Sequence, residues 1–592
     1  MSDQKKLNRR DFLKGAAISG AGLAAVGALG ASSTTPLAAQ AATPVPTPQY
    51  GRPGIDDVPA PVAPWLPAKW DYEADVVVLG TGFAGQTSAI EADRAGASII
   101  MLEKANEKEQ GGNSRVCGQG FIAPPKAIWE DYFAYLKMAT AGQGFPVPDE
   151  HLRFYIEESS KNVDWFDSLG IKVVEGNIGG GRGTWIPFYN QFPGADAIAK
   201  EAQFYWVDPA KGPGRDWYAL EDVILARKGI KKMFETPAKR LVQNPITKEI
   251  LGVVAVNAGK EIYVKAKKAV CVCAGGWEYN QQMNRDFQGI SELYSQGSPH
   301  NTGETIKMCW AVGADIRNMS AIAAPSYLSA GILPGFKASI PINSNLSKGG
   351  FIMVGANNKR FRDEYRTANT GMQSRGKNTL ERAAGSTGQI IENGVYVRDK
   401  HPGPVHFIFD EAARVSGALF GSGMSWSDNI EGYKCSADNS AEVAKGWIIK
   451  AADIRELATK LGRDPDALEA TVTKWNADCA AGKDSQFDTG DPTIVPYERK
   501  KERLVPLASG PLYAVKVYPS TLNTQGGMVR NTKSQVLDIE GKPIPRLYSA
   551  GENGDIWTWL YQCMSNVGAG CFGYGRLAGQ NAAKEKPWDA AA

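Results

Sequence analysis

The sequence lacks the cysteine motifs that would hold a redox metal centre. Its eight cysteines are scattered, and none forms a C-x-x-C pair or the C-x-x-C-H run of a c-type haem attachment site. A c-type haem and a ferredoxin-like iron–sulfur cluster are therefore excluded from this chain, and no other metal-ligand set is predicted. Isolated cysteines are most often buried as small hydrophobic side chains, and we expect the same here.

The chain also has little net charge of either sign. Its formal net charge is +3, and the five Lys and Arg residues and two Asp residues within positions 1–41 account for all of it. The remaining residues are formally neutral, so no basic field is present that would attract nucleic acid or an anionic membrane surface.

Residues 1–41 carry the pattern of an export signal. The run Asn8-Arg9-Arg10-Asp11-Phe12-Leu13-Lys14 is a twin-arginine signature, an apolar stretch follows at 15–31, and Ala39-Gln40-Ala41 offers a cleavage site. The apolar stretch is short and rich in Gly, Ala and Ser, which disfavours the alternative of a membrane-spanning anchor. We predict export by the twin-arginine route to the periplasm or the extracytoplasmic face of the cell envelope. The proline-rich residues 42–70 would form a linker.

The most informative segment of the remaining sequence spans residues 74–104. The apolar run Val76-Val77-Val78-Leu79 predicts a buried parallel strand, which leads into Gly80-x-Gly82-x-x-Gly85, a helical segment and a second strand ending at Glu103. The first glycine allows the tight turn, the second lets a pyrophosphate approach the backbone, and the third allows close packing of helix on strand. The helix directs its N-terminus at that anion, and the acid stands where a ribose hydroxyl is expected. The segment predicts a dinucleotide-binding site.

The rest of the chain predicts a two-domain α/β protein. At 592 residues it exceeds the size of a single hydrophobic core, and residues 71–318 alternate strand-like and helix-like segments. Between 319 and 515 polar and aromatic loops prevail, whereas residues 516–592 return to a strand and a glycine-rich helix. We predict a three-layer (ββα) Rossmann-like domain formed by 71–318 and 516–592. An inserted α+β capping domain, 319–515, would leave a ligand cleft between the two.

Seven motifs, taken in order, resemble the soluble fumarate reductase flavoprotein family, which includes fumarate and urocanate reductases and the 3-ketosteroid Δ1-dehydrogenases. They are the segment described above, Gly111-Gly112-Asn113-Ser114, the run CAGGWEYN at 273–280, Asn301-Thr302-Gly303-Glu304, Ala467-Leu468-Glu469-Ala470-Thr471-Val472, Asn523-Thr524-Gln525-Gly526-Gly527, and LYSAGE at 547–552. The resemblance covers nearly the whole chain after the export signal. It implies FAD, a capping domain over the isoalloxazine ring, and hydride exchange between flavin N5 and a substrate carbon–carbon bond.

The resemblance also assigns the residues that would contact FAD. They are Gly80, Gly82 and Gly85 at the pyrophosphate, Glu103 and Lys104 at the ADP ribose, Gly112, Asn113 and Ser114 at the flavin ring, Ala274 and Gly275 at the ADP side, Gly551 and Glu552 at the ribityl chain and pyrophosphate, and Gly568 at the start of a helix directed at the flavin N1–C2=O edge. No histidine stands in the segment around Asn113, which implies that FAD is bound non-covalently.

Two positions of the family's dicarboxylate clamp differ in this chain. Where the family has substrate histidines before the Gly-Gly pair, the sequence has Leu522 and Asn523, and the clamp arginine falls on Gln562. Burying a carboxylate without a cationic partner is costly, which argues against fumarate as the substrate. The neighbouring residues are aromatic and neutral, and such a pocket suits an aryl enone, a phenolic acrylate or a steroid, although core packing is the alternative explanation. The predicted substrate contacts are Asn523, Trp557, Trp559, Tyr561 and Gln562.

The proton donor is predicted near the run Lys359-Arg360-Phe361-Arg362-Asp363-Glu364, which resembles the family's proton-transfer motif. The arginine or tyrosine that the family places four residues after the glutamate falls on Ala368, so the nearest candidates are Tyr365 and Arg366. An arginine transfers a proton only when its surroundings lower its pKa, and Glu364 with Arg360 and Arg362 would supply such a relay. The alternative is a solvated charged turn.

Together these features predict an exported FAD-dependent reductase that transfers a hydride to an activated C=C bond of an aromatic, enone or acrylate-type acceptor. Arg366 or Tyr365 would supply the proton, with Glu364 beside them. The chain has no haem or iron–sulfur motif of its own, so its electrons must come from a separate partner, which the resemblance implies is a c-type cytochrome. Two alternatives remain: a 3-ketosteroid-type dehydrogenase that introduces a double bond, and a non-catalytic flavin subunit that shuttles electrons.

Overall fold

The computed structural model describes most of the chain after the proline-rich segment. The described residues are 65–141, 147–176, 192–201, 204–208, 212, 214–290, 292–323, 326–343, 346, 348–361, 364, 389–392, 395–398, 403–487, 504–554 and 566–589. The predicted export signal lies outside them, as does most of the predicted linker. Within the described ranges, no helix is both long enough and apolar enough to cross a membrane.

The described chain contains strands and helices in alternation. In chain order, the strands are β1 (Tyr72–Leu79), β2 (Ile99–Leu102), β3 (Phe121–Ile122), β4 (Val173–Gly176), β5 (Phe204–Val207), β6 (Ile230–Met233), β7 (Ala238–Gln243), β8 (Ile250–Asn257), β9 (Lys260–Val272), β10 (Tyr294–Ser295), β11 (Ile316–Arg317), β12 (Ser326–Ser329), β13 (Phe351–Val354), β14 (Gln389–Glu392), β15 (Val395–Arg398), β16 (Val405–Asp410), β17 (Ile449–Ala451), β18 (Leu512–Thr521), β19 (Gly527–Met528), β20 (Gln535–Leu537) and β21 (Pro543–Ser549). The described α-helices of seven or more residues are Phe83–Arg94, Trp129–Ala141, Asp149–Ser160, Asn162–Ser168, Ala195–Glu201, Arg215–Leu225, Glu304–Ala311, Ile454–Lys460, Pro465–Ala480 and Tyr574–Lys584.

The larger sheet has eight strands and a parallel centre. β1 pairs in parallel with β2 on one side and with β9 on the other, while β6 lies beyond β2 and β21 beyond β9. The apolar run predicted as a strand lies in β1, where Val76, Val77 and Val78 are completely buried. A parallel strand is covered by other elements on both faces, which is why it reads as a continuous apolar run.

The parallel strands bring four loops to one edge of this sheet. β1 ends at Leu79, β2 at Leu102, β9 at Val272 and β21 at Ser549. Because these four strands are parallel neighbours, their carboxyl ends point the same way and the following loops meet. The predicted cofactor residues that follow these strands are therefore brought side by side.

A second sheet has six strands and is mainly antiparallel. β18 pairs with β12, β16 and β17 in antiparallel fashion and with β10 in parallel, and β13 pairs with β16. Its strands draw on residues from Tyr294 to Thr521, so the sheet extends past both limits of the predicted 319–515 domain. The α/β dinucleotide-binding fold is confirmed, and the domain limits stay a prediction.

The glycine-rich helix predicted near Gly568 has an unusual beginning. A π-helical segment, Val567–Gly573, runs directly into the α-helix Tyr574–Lys584. That α-helix packs on helix Phe83–Arg94 so closely that a Cβ at Gly579 would lie 2.2 Å from the carbonyl oxygen of Ser88. Because π-helical turns are rare and concentrate at functional sites, the segment indicates a functional site at this edge of the sheet.

Candidate functional site

The turn after β1 requires glycine for steric reasons. Gly80 has a φ of +96°, and a Cβ there would lie 2.6 Å from the carbonyl oxygen of Cys273. A Cβ at Gly85 would lie 2.1 Å from the carbonyl oxygen of Gly80, because the first turn of the helix packs directly on the loop. Gly82 stands at the N-terminus of the helix and closely approaches the Ser114 hydroxyl. The three glycines thus hold helix, turn and β9 in close contact, as a dinucleotide-binding turn requires.

A second loop, Gly111–Ser114, fixes this turn from outside. The Ser114 hydroxyl accepts a hydrogen bond from the backbone N–H of Phe83 at 2.9 Å. The Trp217 indole N–H donates to the carbonyl oxygen of Thr81, also at 2.9 Å. The buried ring of Trp217 packs against Gly111, where a Cβ would lie 2.7 Å from the ring atom Cε2. Trp217 therefore supports the glycine turn from the protein interior.

Glu103, at the end of β2, has a fixed orientation. Its Oε2 accepts hydrogen bonds from the hydroxyl of Thr81 at 2.5 Å and from the N–H of the same residue at 3.2 Å. Its Oε1 accepts a hydrogen bond from the N–H of Ala105 at 2.8 Å. The next side chain, Lys104, forms an ion pair with Glu304 at 3.0 Å. These contacts hold the carboxylate at the carboxyl edge of the sheet, where an acid can accept ribose hydroxyls.

The four loops surround one cleft of about 1110 Å³, a volume that includes space open to solvent. Eleven of the thirteen predicted cofactor residues line it: Gly80, Gly82, Glu103, Lys104, Gly112, Asn113, Ser114, Ala274, Gly275, Gly551 and Glu552. Two predicted residues do not line it. Gly85 packs beneath the turn, and Gly568 is buried against Ser159 while its neighbour Val567 reaches the cleft. The contacts of the eleven residues with a cofactor stay predictions.

An acid–amide cluster occupies one part of the cleft wall and the interior behind it. The Asn113 amide donates to Glu278 Oε1 at 2.8 Å and to Glu552 Oε2 at 3.1 Å. The Asn523 amide donates to the other oxygen of Glu552. The Asn301 amide also donates to Glu278 Oε1, at 2.8 Å. One amide nitrogen thus links two carboxylates, one lining the cleft and one completely buried.

Burial dominates the electrostatics of Glu278. Complete burial raises the pKa of its carboxyl group, and hydrogen bonds from Asn301 and Asn113 offset only part of that rise. Among the described side chains, the hydrogen-bond donors to its carboxylate are two amides and the hydroxyl of Thr524, and none of them is charged. Glu278 is therefore the residue of this cluster whose charge is most costly.

The cleft fits flavin adenine dinucleotide in shape and in donor chemistry. The glycine turn leaves room for a pyrophosphate at the N-terminus of helix Phe83–Arg94, and Glu103 is placed for a ribose. Next to Val567, which lines the cleft, both polar atoms of buried Asn566 lack a hydrogen-bond partner among the described residues. Buried polar atoms without partners are rare in native proteins, and a bound polar ligand would satisfy them.

Residues 75–566 match the family described as FAD binding domain. The chain belongs to this FAD-binding family. It is 26% identical to the digoxin reductase of Eggerthella lenta over 99% of this chain and 98% of that protein. It is 24% identical to the vinyl phenol reductase of Lactiplantibacillus plantarum over 86% of this chain and 95% of that protein. The 3-ketosteroid delta1-dehydrogenase from Sterolibacterium denitrificans shares the fold, with a TM-score of 0.65 at 20% identity over 86% of this chain and 99% of that one.

Membership of this FAD-binding family confirms the predicted cofactor and enzyme class. The chain binds FAD and is an FAD-dependent oxidoreductase acting on CH–CH groups. It is similar in sequence to a fumarate reductase and in fold to a steroid dehydrogenase. The non-covalent attachment of FAD stays a prediction.

The predicted proton relay of this flavoprotein begins in a buried ion cluster. Arg360 donates to Glu364 through Nε at 2.8 Å and through Nη2 at 2.6 Å, and it donates to both oxygens of Asp484. All three side chains are completely buried, so the alternative of a solvated turn is wrong for Arg360 and Glu364. Burial by itself would lower the pKa of Arg360, but the two carboxylates outweigh it and raise that pKa. This is opposite to the shift that a relay through Arg360 requires.

The structure leaves several predicted site residues outside its described ranges. They are the proton-donor candidates Tyr365 and Arg366, the relay member Arg362, and the substrate contacts Trp557, Trp559, Tyr561 and Gln562. Asn523 is described and is buried beside Glu552. Glu364 is described too, but it is not among the residues that line the cleft.

Sequence reasoning assigned no role to Glu278, Asn301 or Trp217. The first two stand within motifs that carried the resemblance, yet neither was singled out. A usable signal was an acid placed just after a buried strand and a Gly-Gly pair, where a loop at the carboxyl edge of the sheet is expected. Trp217 had no such signal, because its partner Thr81 lies 136 positions away.

Proposed function

We propose that this flavoprotein reduces the activated C=C bond of an aromatic, enone or acrylate-type acceptor, using electrons from a separate redox partner. The observation that supports this proposal most directly is the hydrogen bond between Asn523 and Glu552. Asn523 stands where the resembling family has a substrate histidine, and its amide donates to the Glu552 carboxylate at the cleft wall. A neutral amide already engaged by a carboxylate offers no charge to a second, substrate carboxylate.

The charges of the described cleft wall support a weakly charged acceptor. Its lining basic side chains are Lys104, paired with Glu304, and His300, whose Nε2 lies 2.9 Å from Glu109 Oε2. Burial by itself would raise the pKa of Glu109, but hydrogen bonds from Lys337 and His300 outweigh it and lower that pKa. Within the described wall, both basic side chains therefore already face a carboxylate, and a dicarboxylate would add negative charge without a partner.

The related proteins support the same acceptor class. The digoxin reductase matches over nearly the full length of both chains, and the vinyl phenol reductase over 95% of its own length, whereas other relatives are named for fumarate. The aromatic residues Trp557, Trp559 and Tyr561 precede the π-helical segment in the sequence, and in this proposal they hold the flat part of the acceptor.

The residues of the chain have distinct tasks in this proposal. The bound FAD supplies the hydride that the β-carbon of the acceptor receives. The glycine turn and Glu103 hold the dinucleotide, while Asn113, fixed by its two carboxylates, holds the flavin side of the cleft. Arg366 or Tyr365 donates a proton to the α-carbon. The buried pair of Arg360 and Glu364 anchors the start of the segment that carries both candidates.

Export and the electron donor belong to the same proposal. The twin-arginine signature within residues 1–41 would place the folded, FAD-loaded protein on the extracytoplasmic side of the membrane. A c-type cytochrome in that compartment would supply the electrons, since the sequence has no haem-attachment motif of its own.

An anaerobic reoxidation assay tests the proposal. The purified protein is reduced chemically, and reoxidation of its flavin absorbance is followed with fumarate, urocanate, cinnamate-type acids, aryl enones and 3-ketosteroids. We expect rapid reoxidation by a neutral or aryl alkene and none by fumarate. Rapid reoxidation by fumarate would overturn the argument from Asn523.

Two variants separate the reductase from its alternatives. Arg366→Ala should slow reoxidation by the best acceptor, whereas the matched control Arg317→Ala removes an exposed arginine and should leave the rate unchanged. If no acceptor reoxidised the reduced flavin of the wild type, the proposed reductase activity would be contradicted. Reduction of the oxidised flavin by saturated 3-ketosteroids would then indicate a dehydrogenase, and no response in either direction an electron shuttle.

A further inference from the structure

Glu278 is a completely buried acid whose hydrogen-bonding side chains, among the described residues, are all uncharged. Its Oε1 accepts hydrogen bonds from the amides of Asn113 and Asn301, both at 2.8 Å. Its Oε2 lies 3.2 Å from the hydroxyl of Thr524. All three contacts are neutral, so ionisation of Glu278 is opposed by burial and is sensitive to any further charge nearby.

The hydroxyl of Thr524 suits both protonation states of this acid. Its oxygen accepts a hydrogen bond from the N–H of Trp277 at 2.9 Å, and its own hydrogen is free to rotate. When Glu278 is ionised, the hydroxyl donates to Oε2. When Glu278 is protonated at Oε2, the hydroxyl oxygen accepts from it. The pocket therefore accommodates gain and loss of a proton without movement of the backbone.

The same acid is linked to the FAD cleft through a single amide. The two hydrogens of Asn113 Nδ2 point to Glu278 and to Glu552, and both Asn113 and Glu552 line the cleft. The Asn113 amide oxygen accepts from the N–H of Ser298 at 2.8 Å, so the amide cannot flip without losing this bond. A change of charge in the cleft is thereby felt by Glu278 through a rigid contact.

In the described part of the chain, Tyr279 and Cys117 are ionisable groups that interact with the two acids of the cluster, Glu278 and Glu552. The pKa of Tyr279 is raised by burial, and burial raises the pKa of Cys117 to about 12. Both groups are therefore neutral around pH 7. Neither group therefore gains a further proton, which leaves the carboxylates of the cluster as the proton acceptors.

We propose that Glu278 is a proton-holding residue for the FAD: it takes up a proton when negative charge enters the cleft and releases it when that charge leaves. The electrons come from the external reductant and stay on the cofactor. The proton comes from solvent and forms the O–H bond at Oε2, facing Thr524. The proposal depends on FAD binding, which the family establishes, and it holds whichever acceptor is used.

The test measures proton uptake, not turnover. The midpoint potential of the bound FAD is measured by spectroelectrochemistry between pH 5 and 9 in the wild type and in Glu278→Gln. The slope against pH reports the protons taken up with each two electrons. We expect the variant to retain FAD. Over part of this pH range, its two-electron reduction should be accompanied by the uptake of fewer protons than in the wild type, with a difference of at most one. Glu442→Gln, an equally buried acid that is not part of the cleft wall, should retain the wild-type slope.

Two further measurements keep the proposal falsifiable if Glu278→Gln folds poorly. Thr524→Val leaves the acid in place, so the proton should still be taken up but in a shifted pH range. Reduced-minus-oxidised infrared spectra of the wild type should show a new band from a protonated carboxylic acid. Identical slopes in wild type and Glu278→Gln, or the absence of that band, would overturn the proposal.

Discussion

Gly85→Ala tests whether the glycine turn and the FAD site are mechanically one unit. The new Cβ would lie 2.1 Å from the carbonyl oxygen of Gly80 and 3.0 Å from its carbonyl carbon. Those atoms belong to the backbone, so they can give way only if the turn or the helix moves by about 1 Å, a distortion that overpacking studies put at about 1–3 kcal/mol. The change also has a favourable side, because alanine stabilises a helix interior by up to about 1 kcal/mol over glycine.

The two effects fall on different observables, and this separation makes the prediction sharp. The gain in helix propensity acts on the stability of the apoprotein, whereas displacement of the turn acts on the pyrophosphate site. We expect FAD affinity to fall by about 5- to 100-fold, which corresponds to about 1–3 kcal/mol. The measurement is a titration of apoprotein with FAD, followed by quenching of flavin fluorescence.

Gly118→Ala is the matched control for this prediction. The nearest atom to a Cβ there is the flexible Met424 sulfur at 3.5 Å, and Gly118 does not adopt a positive φ. Its FAD affinity should equal that of the wild type. Unchanged FAD affinity in Gly85→Ala, together with a higher apoprotein Tm, would refute the steric argument. The higher helix propensity of alanine would then be the only effect of the substitution.

Three further changes have defined outcomes. Burial, with the nearby charges of Arg463 and Lys516, lowers the pKa of His406 from 6.5 to about 4. Since the folded pKa lies below the unfolded one, stability present above pH 6.5 is lost as pH falls towards 4, by about 3 kcal/mol. The free energy of unfolding of His406→Asn, measured by urea denaturation, should lack this loss. If it fell with pH in parallel with that of the wild type, the prediction would be contradicted. Arg360→Met removes the guanidinium that Glu364 and Asp484 share, and it should cost about 3–5 kcal/mol in the same assay, more than Asp484→Asn; equal losses would argue against the cluster. Trp217→Phe removes the bond to Thr81, and it should lower the temperature of FAD release by an amount equivalent to about 1–3 kcal/mol.

Much of the cofactor-binding half follows from local sequence. The buried strand β1 is legible because four consecutive apolar residues fit a strand covered on both faces. The spacing of Gly80, Gly82 and Gly85 encodes a turn through backbone dihedrals and the missing Cβ atoms, which are properties of the residues themselves. The acid at Glu103 follows from the length of one strand–helix–strand unit. Each of these signals acts over a few residues, so no knowledge of the remaining chain is needed.

The proton-donor region shows where local reading is insufficient. The run around Arg360 has the charge pattern of either a relay or a solvated turn, and both predictions depend on what surrounds it. The structure buries Arg360 between Glu364 and Asp484, the second of which lies 124 positions away. Proximity of opposite charges then raises the arginine pKa. Sequence spacing could not supply that third charge.

What the sequence by itself determined is the class of cofactor and the edge of the sheet at which it binds, because glycine geometry and strand burial are local. The acid–amide cluster was decided only by tertiary structure. Asn113 and Glu552 are 439 positions apart, and they meet because the segments that follow β2 and β21 lie at the same edge of one sheet, with β9 and β1 between those two strands. The sequence around each residue does not indicate this contact. A hydrogen bond between two loops depends on where the sheet positions the ends of the loops, and not on the residues that flank the donor and the acceptor.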